Sequence, residues 1–326
     1  MIGFILRRLL QAVLVMLTIS FASFVIQGKL GDPVTQMVGQ NVTLAERAQL
    51  TESLGLNDPL LQQYARYLSD ALSGDLGVSY YHKQATLAVI GDRLPATLEL
   101  SFCALLIVLL TATPLGVFAA IRPRHILSRL IVIVSTLGLS VPIFVVAMFL
   151  VYFFAVEWQW LPSFGRGETH LLFGFWSSGL VTKDGLQHLL LPSVSLAFVL
   201  APIFVRLIRA QMLEELDSDY VRYAWSKGIP AHRVYFVHAL KNTMLPVITV
   251  GGIQVGTLIA YTILTETIFQ WPGMGLLFME AVSRVDAPLI SAYLIVVGLI
   301  FVLINTLVDL IYLWVNPRVR IPGYGQ

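Results

Sequence analysis

Leu100-Ser-Phe-Cys-Ala-Leu-Leu-Ile-Val-Leu-Leu-Thr-Ala-Thr-Pro-Leu-Gly-Val-Phe-Ala-Ala-Ile121 contains no Asp, Glu, Lys, Arg or His. A bilayer-crossing helix needs about 20 such residues, so this run is long enough to span. Five further runs have the same character: Leu9–Gly28, Leu130–Val156, Leu189–Val205, Asn242–Thr265 and Ala287–Val308. The fourth in chain order, Leu189–Val205, is the shortest and is bounded by His188 and Arg206. A seventh stretch, Leu171–Thr182, is too short and too rich in Gly and Ser to span, and reads as interfacial or re-entrant. The pattern predicts an all-α membrane protein with six transmembrane helices.

Composition agrees. The chain is 57% hydrophobic and only 12% charged, against roughly 25% charged residues in a soluble domain. A net charge of +2 on 326 residues gives no footing for nucleic acid. The single cysteine, Cys103, cannot form an internal disulfide and says little about redox compartment. Arg7 and Arg8 ahead of an apolar run resemble a signal peptide, but no small-residue cleavage site follows, so this segment reads as a retained helix.

Charge placement sets the orientation. With both termini cytoplasmic, the inner segments 1–8, 122–129, 206–241 and 309–326 hold most of the 21 Lys and Arg, as the positive-inside rule requires. Most of the 19 acidic residues then fall outside. Pro114, Pro142, Pro192 and Pro202 lie in or near span interiors, where each removes a backbone donor and is expected to bend its helix.

The organisation expected is an N-terminal helix to residue 28, an extracytoplasmic lobe over 29–99, and a five-helix core over 100–326. In the lobe, Leu60, Leu61, Tyr64, Tyr67, Leu68 and Leu72 recur at helical spacing, with Asn57-Asp58-Pro59 as a start signal and Gly74 as a stop. This predicts an amphipathic helix packing on one face, either as a cap on the bundle or as a docking surface.

The cytoplasmic loop 206–241 is dense in charge of both signs. Within it, Asp217-Ser-Asp-Tyr-Val-Arg-Tyr-Ala-Trp-Ser-Lys-Gly228 reads as a short helix with an acidic start and a glycine stop. Pro230 then suits the first turn of a second helix through Arg233, Val234, Val237 and His238. The expected shape is a compact helical knob at the membrane face.

Motifs for catalysis are missing from the sequence. It has no G-x-x-x-x-G-K-[ST] phosphate loop, no H-E-x-x-H zinc helix and no G-x-S-x-G nucleophile turn. Its histidines stand apart, and the nearest pair, His232 and His238, lacks the spacing that puts two ring nitrogens on one metal. No cofactor or metal is expected. Of the ionisable residues near spans, Asp309 is expected to be paired structurally, whereas Glu266 ends the fifth run at the outer mouth, where a solute would enter.

The run Asp219-Tyr-Val-Arg-Tyr-Ala-Trp-Ser-Lys-Gly228, followed by His238-Ala-Leu-Lys-Asn242 and Leu245-Pro246, resembles the cytoplasmic coupling motif of the dipeptide, oligopeptide and nickel class of ABC transporter permeases. Further segments match that class in order: Leu54-Gly-Leu-Asn-Asp-Pro59, Gly74-Asp-Leu-Gly77, Leu94-Pro-Ala-Thr-Leu-Glu-Leu100, Leu264-Thr-Glu-Thr-Ile-Phe-Gln-Trp-Pro-Gly273, Asn305-Thr-Leu-Val-Asp309 and Asn316-Pro-Arg318. The broader superfamily motif begins Glu-Ala-Ala. Here Arg222, Tyr223 and Ala224 stand at those positions, so only Ala224 and Gly228 keep the broad pattern.

The resemblance implies a type I importer permease in the bacterial inner membrane. It implies a paralogous permease as partner, two cytoplasmic ABC ATPases, an extracytoplasmic solute-binding protein and a small peptide as cargo. It places the ATPase contact on Asp219, Tyr220, Arg222, Ala224, Lys227, Gly228, His238, Asn242 and Pro246. Glu266, Trp271, Pro272 and Gly273 are the candidates for path or gate. ATP hydrolysis is expected on the partners, not on this chain. Nickel chelates, glutathione and oligosaccharides are alternative cargoes within the class. Two other readings compete: a secondary transporter using Glu266 and Asp309 as ion ligands, which six unrepeated spans disfavour, and an assembly factor with no path.

Overall fold

The computed structural model describes residues 2–30, 43–53 and 55–315. Leu54, the lobe segment 31–42 and the Asn316-Pro-Arg318 motif lie outside the described residues. In chain order the first elements are α1 (Ile2–Lys29), α2 (Leu44–Ser53), α3 (Leu60–Leu72), α4 (Thr86–Ile121) and α5 (Ile126–Gly138). Next come α6 (Ile143–Leu150), which runs on as a π-helix over Val151–Glu157, and the antiparallel strands β1 (His170–Leu172) and β2 (Trp176–Ser178). They are followed by α7 (Lys183–Leu216), α8 (Asp219–Ser226) and α9 (Ala231–Arg233), the last continued by a π-helix over Val234–Ala239. The chain ends in α10 (Leu240–Phe269), α11 (Met274–Ser283) and α12 (Ala287–Val315).

Among the described residues four helices are long and apolar enough to cross a bilayer, and six if each of two bent helix pairs is one span. The third expected span, Leu130–Val156, is one of those pairs. It is two helices meeting at 110° rather than a continuous rod. Pro142 fixes the start of the second helix, at φ −63° and ψ 142°, a backbone geometry outside the helical region. Pro192 and Pro202, by contrast, sit inside α7 without ending it. Membrane helices tolerate such prolines when neighbours satisfy the freed carbonyls.

Helix ends also differ from the charge-free runs. α4 starts at Thr86, well before Leu100, and α7 extends through both His188 and Arg206 to Leu216. Charge marks the depth at which lipid ends, whereas capping marks where a helix ends. The Thr182 hydroxyl accepts from the Gly185 amide at 2.9 Å and so sets the start of α7. The stretch Leu171–Thr182 contributes all of the β1–β2 hairpin except His170, and the turn into α7.

The chain divides into two compact units, one of residues 1–95 and 273–303, the other of 96–272 and 304–326. In the first, Val89, Ile90, Met274, Leu277, Leu289, Ile290 and Tyr293 form the core. α1 meets α12 through small residues: the Ser23 and Ser291 hydroxyls each donate to the other's carbonyl, at 2.9 and 3.2 Å. Without a hydrophobic drive between helices in lipid, close approach and such hydrogen bonds hold the pair. Asp286 caps α12 while accepting from the Ser79 hydroxyl at 2.5 Å and the Tyr80 and Tyr81 amides at 3.1 and 3.2 Å. One buried carboxylate thereby ties the 79–81 turn to the junction of α11 and α12.

The expected amphipathic helix is α3, which ends at Ser73 ahead of Gly74, whose φ is +87°. Its packing face is narrower than the spacing suggests. Tyr64 and Tyr67 pack on Phe21 and Phe24 of α1, but Leu60, Leu61 and Leu72 are exposed.

The second unit is built around α7, which packs against α10, α5 and α6. Phe204, Ile208 and Met212 on α7 are fully buried among Val108, Ala112, Val221 and Val247. At Gly116 of α4 a Cβ would lie 2.8 Å from Ile208 Cβ, closer than carbon atoms approach, so glycine sets the α4–α7 separation.

Candidate functional site

The charged loop folds as the sequence indicates, and its chemistry explains why. α8 is amphipathic: Val221 and Ala224 are buried in the core of the second unit, while Tyr220, Tyr223 and Trp225 are exposed. α8 ends in a Schellman motif. The Gly228 amide donates to Trp225 O at 2.9 Å and the Ile229 amide to Ala224 O at 3.3 Å. Gly228 has φ +70°, a left-handed conformation that costs other L-residues roughly 1–2 kcal/mol. Among the described residues, apart from Gly228 and its chain neighbours, no atom lies within 4 Å of where its Cβ would stand. Pro230 precedes α9, and Val234 and Ala239 bury the second arm in the same core.

Tyr220 stitches the arms together. Its hydroxyl donates to the Glu215 carboxylate at the end of α7 and accepts from Asn242 Nδ2 on α10 at 3.0 Å, with the His238 carbonyl 3.4 Å away. Burial, together with the Glu215 carboxylate, raises the Tyr220 pKa above 10. Arg222 reaches Asp217 at 2.7 Å and Asp219 at 3.7 Å, with all three side chains exposed. The same carboxylates hold the Arg222 guanidinium above its ordinary pKa. Lys227 Nζ lies 4.8 Å from the Tyr223 ring centre, and Trp225 meets Tyr235 edge to face at 5.8 Å. Of the residues named from the sequence, Asp219, Tyr220, Arg222, Ala224, Lys227, Gly228, His238 and Asn242 are brought together here. Pro246 lies apart, half-buried inside α10.

The second group, at the far end of α10, is buried. Glu266 is fully buried and accepts from the Thr97 hydroxyl at 2.6 Å. Trp271 is also fully buried, its indole N–H donating to the Ala96 carbonyl at 3.0 Å. Between them the chain turns at Gln270, whose φ of +48° lets the Trp271 amide donate to Glu266 O at 2.9 Å. Pro272 is half-buried and Gly273 caps α11.

Sequence reasoning missed the partners of this region. Arg166 and Glu99 form a buried ion pair at 2.8 Å, with side chains only 8% and 3% exposed. Glu99 also accepts from the Trp176 indole at 3.0 Å and the Gly179 amide at 3.2 Å, and the Arg166 guanidinium stands 5.8 Å from the Trp271 ring centre. Glu99 lies in the Leu94–Leu100 segment and so carried a signal. Arg166, in the polar turn Ser163–Glu168, carried none.

Comparison with known proteins adds an independent line. The family described as "Binding-protein-dependent transport system inner membrane component" matches residues 112–321, and its N-terminal companion matches residues 1–101. The dipeptide transport system permease protein DppB of Escherichia coli (strain K12) is 39% identical, covering 98% of this chain and 99% of that protein. The probable D,D-dipeptide transport system permease protein DdpB of the same organism is 37% identical over 96% of each chain. The oligopeptide transport system permease protein AppB of Bacillus subtilis (strain 168) is 34% identical, covering 98% of this chain and 100% of that protein. Matches of this extent show that the chain belongs to the inner-membrane components of binding-protein-dependent transport systems, and that its resemblance to the peptide-class ABC permeases runs through nearly its whole length.

Proposed function

We propose that this chain is one permease subunit of an ATP-driven importer of di- and oligopeptides. A paralogous permease encloses the path with it, and two ABC ATPases dock on the 219–241 hairpin. Both termini face the cytoplasm, and the 29–99 lobe faces a solute-binding protein outside. The single observation that carries the reading is the hairpin itself. It is locked by a Schellman cap, rooted in the core through Val221, Ala224, Val234 and Ala239, and still exposes Tyr223, Trp225, Phe236 and Val237. A rigid knob with an exposed aromatic surface transmits a push from a soluble partner to α7 and α10, which it joins, and so shifts access to the path.

Glu266, Trp271, Pro272 and Gly273 remain the proposed gate. In that role Glu266 acts from inside the fold through its Thr97 contact, as a group whose release accompanies opening. The test is ATP hydrolysis by partner ATPases assembled in lipid with this chain and a paralogous permease, with and without loaded binding protein. Stimulation by a dipeptide mixture supports the reading. Stimulation by nickel chelates, glutathione or oligosaccharides alone keeps the importer and replaces the cargo. Uptake driven by a proton gradient without ATP overturns it.

A further inference from the structure

A groove of about 530 Å³ lies between α5 and α7, outside both regions described above. It is lined by the apolar Val132, Leu139, Ile203, Val205 and Leu207 together with Arg206 and Arg209. The bend after Gly138 shapes it. Gly138 sits against Pro202, while Leu139 and Val141 beyond it stay exposed.

Arg66, Arg166 and Arg222 each have a carboxylate partner, but among the described residues neither Arg206 nor Arg209 has one. The Arg209 Nε is buried with no hydrogen-bond partner. A buried donor left unpaired costs about 1–3 kcal/mol, so a site of this kind favours an acceptor from outside the chain. Arg206 also ends the charge-free run Leu189–Val205, at the depth where hydrocarbon gives way to headgroups.

We propose that this groove is a binding site for an anionic phospholipid. Its phosphate is held between Arg206 and Arg209, and an acyl chain lies along Val132, Leu139 and Ile203. Only an amphiphile satisfies both the apolar lining and the two arginines. A free anion leaves the apolar wall bare, and a zwitterionic lipid sets a cation beside two arginines. The inference rests on the family's membrane location, not on the cargo or the partners.

The experiment is native mass spectrometry of the purified chain, in complex with its partner subunits, released from nanodiscs of phosphatidylglycerol or phosphatidylcholine. The wild type is expected to retain one phosphatidylglycerol per copy and to prefer it over phosphatidylcholine. Arg206→Gln with Arg209→Gln is expected to weaken that retention about 30-fold, since each arginine near a membrane surface is worth about a factor of five. A second variant, Ala210→Phe, fills the groove and keeps both charges, and is expected to lose the lipid as well. Arg124→Gln, basic but away from the groove, is expected to change nothing. Equal retention of both lipids, or a double variant that still holds phosphatidylglycerol at wild-type level, overturns the proposal. So does displacement of the lipid by a soluble dipeptide, which makes the arginines a carboxylate site for cargo. ATP hydrolysis measured on the same preparations reports separately on the importer reading.

Discussion

The hairpin and the buried cluster around Glu99 both use Arg–carboxylate pairs, and the pairs do opposite work. Arg222 meets Asp217 and Asp219 in solvent, where such pairs add little because water already solvates both charges. Arg166 meets Glu99 with both side chains buried, and Glu99 is further held by the Trp176 indole and the Gly179 amide. There each charge depends on the other, because losing one strands its partner out of water. Near-identical chemistry thus gives a rigid junction in one place and an adaptable surface in the other. What separates them is burial. The hairpin keeps its charges wet and free to rearrange, whereas the junction that holds three elements in register hides them.

The largest effect expected is at the junction. Arg166→Ala, which leaves Glu99 buried and unpaired, is expected to lower stability by about 3–5 kcal/mol, read as thermal unfolding in lipid nanodiscs. Replacing both partners, Glu99→Leu with Arg166→Met, is expected to recover only part of that loss, because the Trp176 indole and the Gly179 amide are left without their acceptor. A single variant that loses no more than a surface pair would show that water reaches Glu99 and would erase the contrast. Next is Gly228→Ala. It is expected to cost roughly 1–2 kcal/mol of local strain at φ +70°, yet the chain still folds because no described residue beyond its chain neighbours crowds the Cβ position. Peptide-stimulated ATP hydrolysis of the complex is expected to fall well beyond what that strain explains. Unchanged stimulation would mean that the hairpin's turn is not what the ATPase reads.

The same contrast explains what the sequence made legible. The hairpin was readable because its features are local: the acidic start of α8, Gly228 at its end and Pro230 before α9 are all close in sequence. The apolar runs were readable because lipid filters for charge. The junction was not, because Arg166 and Glu99 are 67 residues apart and neither sits in a pattern that names the other. The same is true of Ser79 and Asp286, separated by 207 residues. The 110° bend between α5 and α6 was hidden inside a run that satisfied the charge filter, and the exposure of Leu60, Leu61 and Leu72 inside one that satisfied the helical period. Periodicity reports which residues can share a face. It does not report what covers that face.

Within the hairpin a smaller effect separates its internal stitch from its surface. Tyr220→Phe removes the hydroxyl that links Glu215 to Asn242 and is expected to cost about 1 kcal/mol. The pKa of Tyr220 is raised above 10 in the fold, so the stability its neutral form contributes is complete below pH 10 and is lost as pH rises through the folded value. The phenylalanine variant is therefore expected to show a shallower fall in melting temperature above pH 10 than the wild type. Parallel profiles would place the alkaline transition elsewhere.

Arg222→Gln carries the smallest expected change in stability and the sharpest test of the comparison. Its guanidinium is exposed and its two carboxylates are exposed with it, so removing it strands no buried charge, and the melting temperature is expected to stay within measurement error. If the hairpin is a docking surface, the same substitution is expected to weaken ATPase assembly or stimulated hydrolysis, more strongly at low salt than at high, because an exposed contact is screened by ions. A drop in melting temperature without loss of coupling would mean that Arg222 belongs with Arg166 as a structural charge. A loss of coupling at constant melting temperature would keep the two pairs apart, one holding the fold and the other facing a partner.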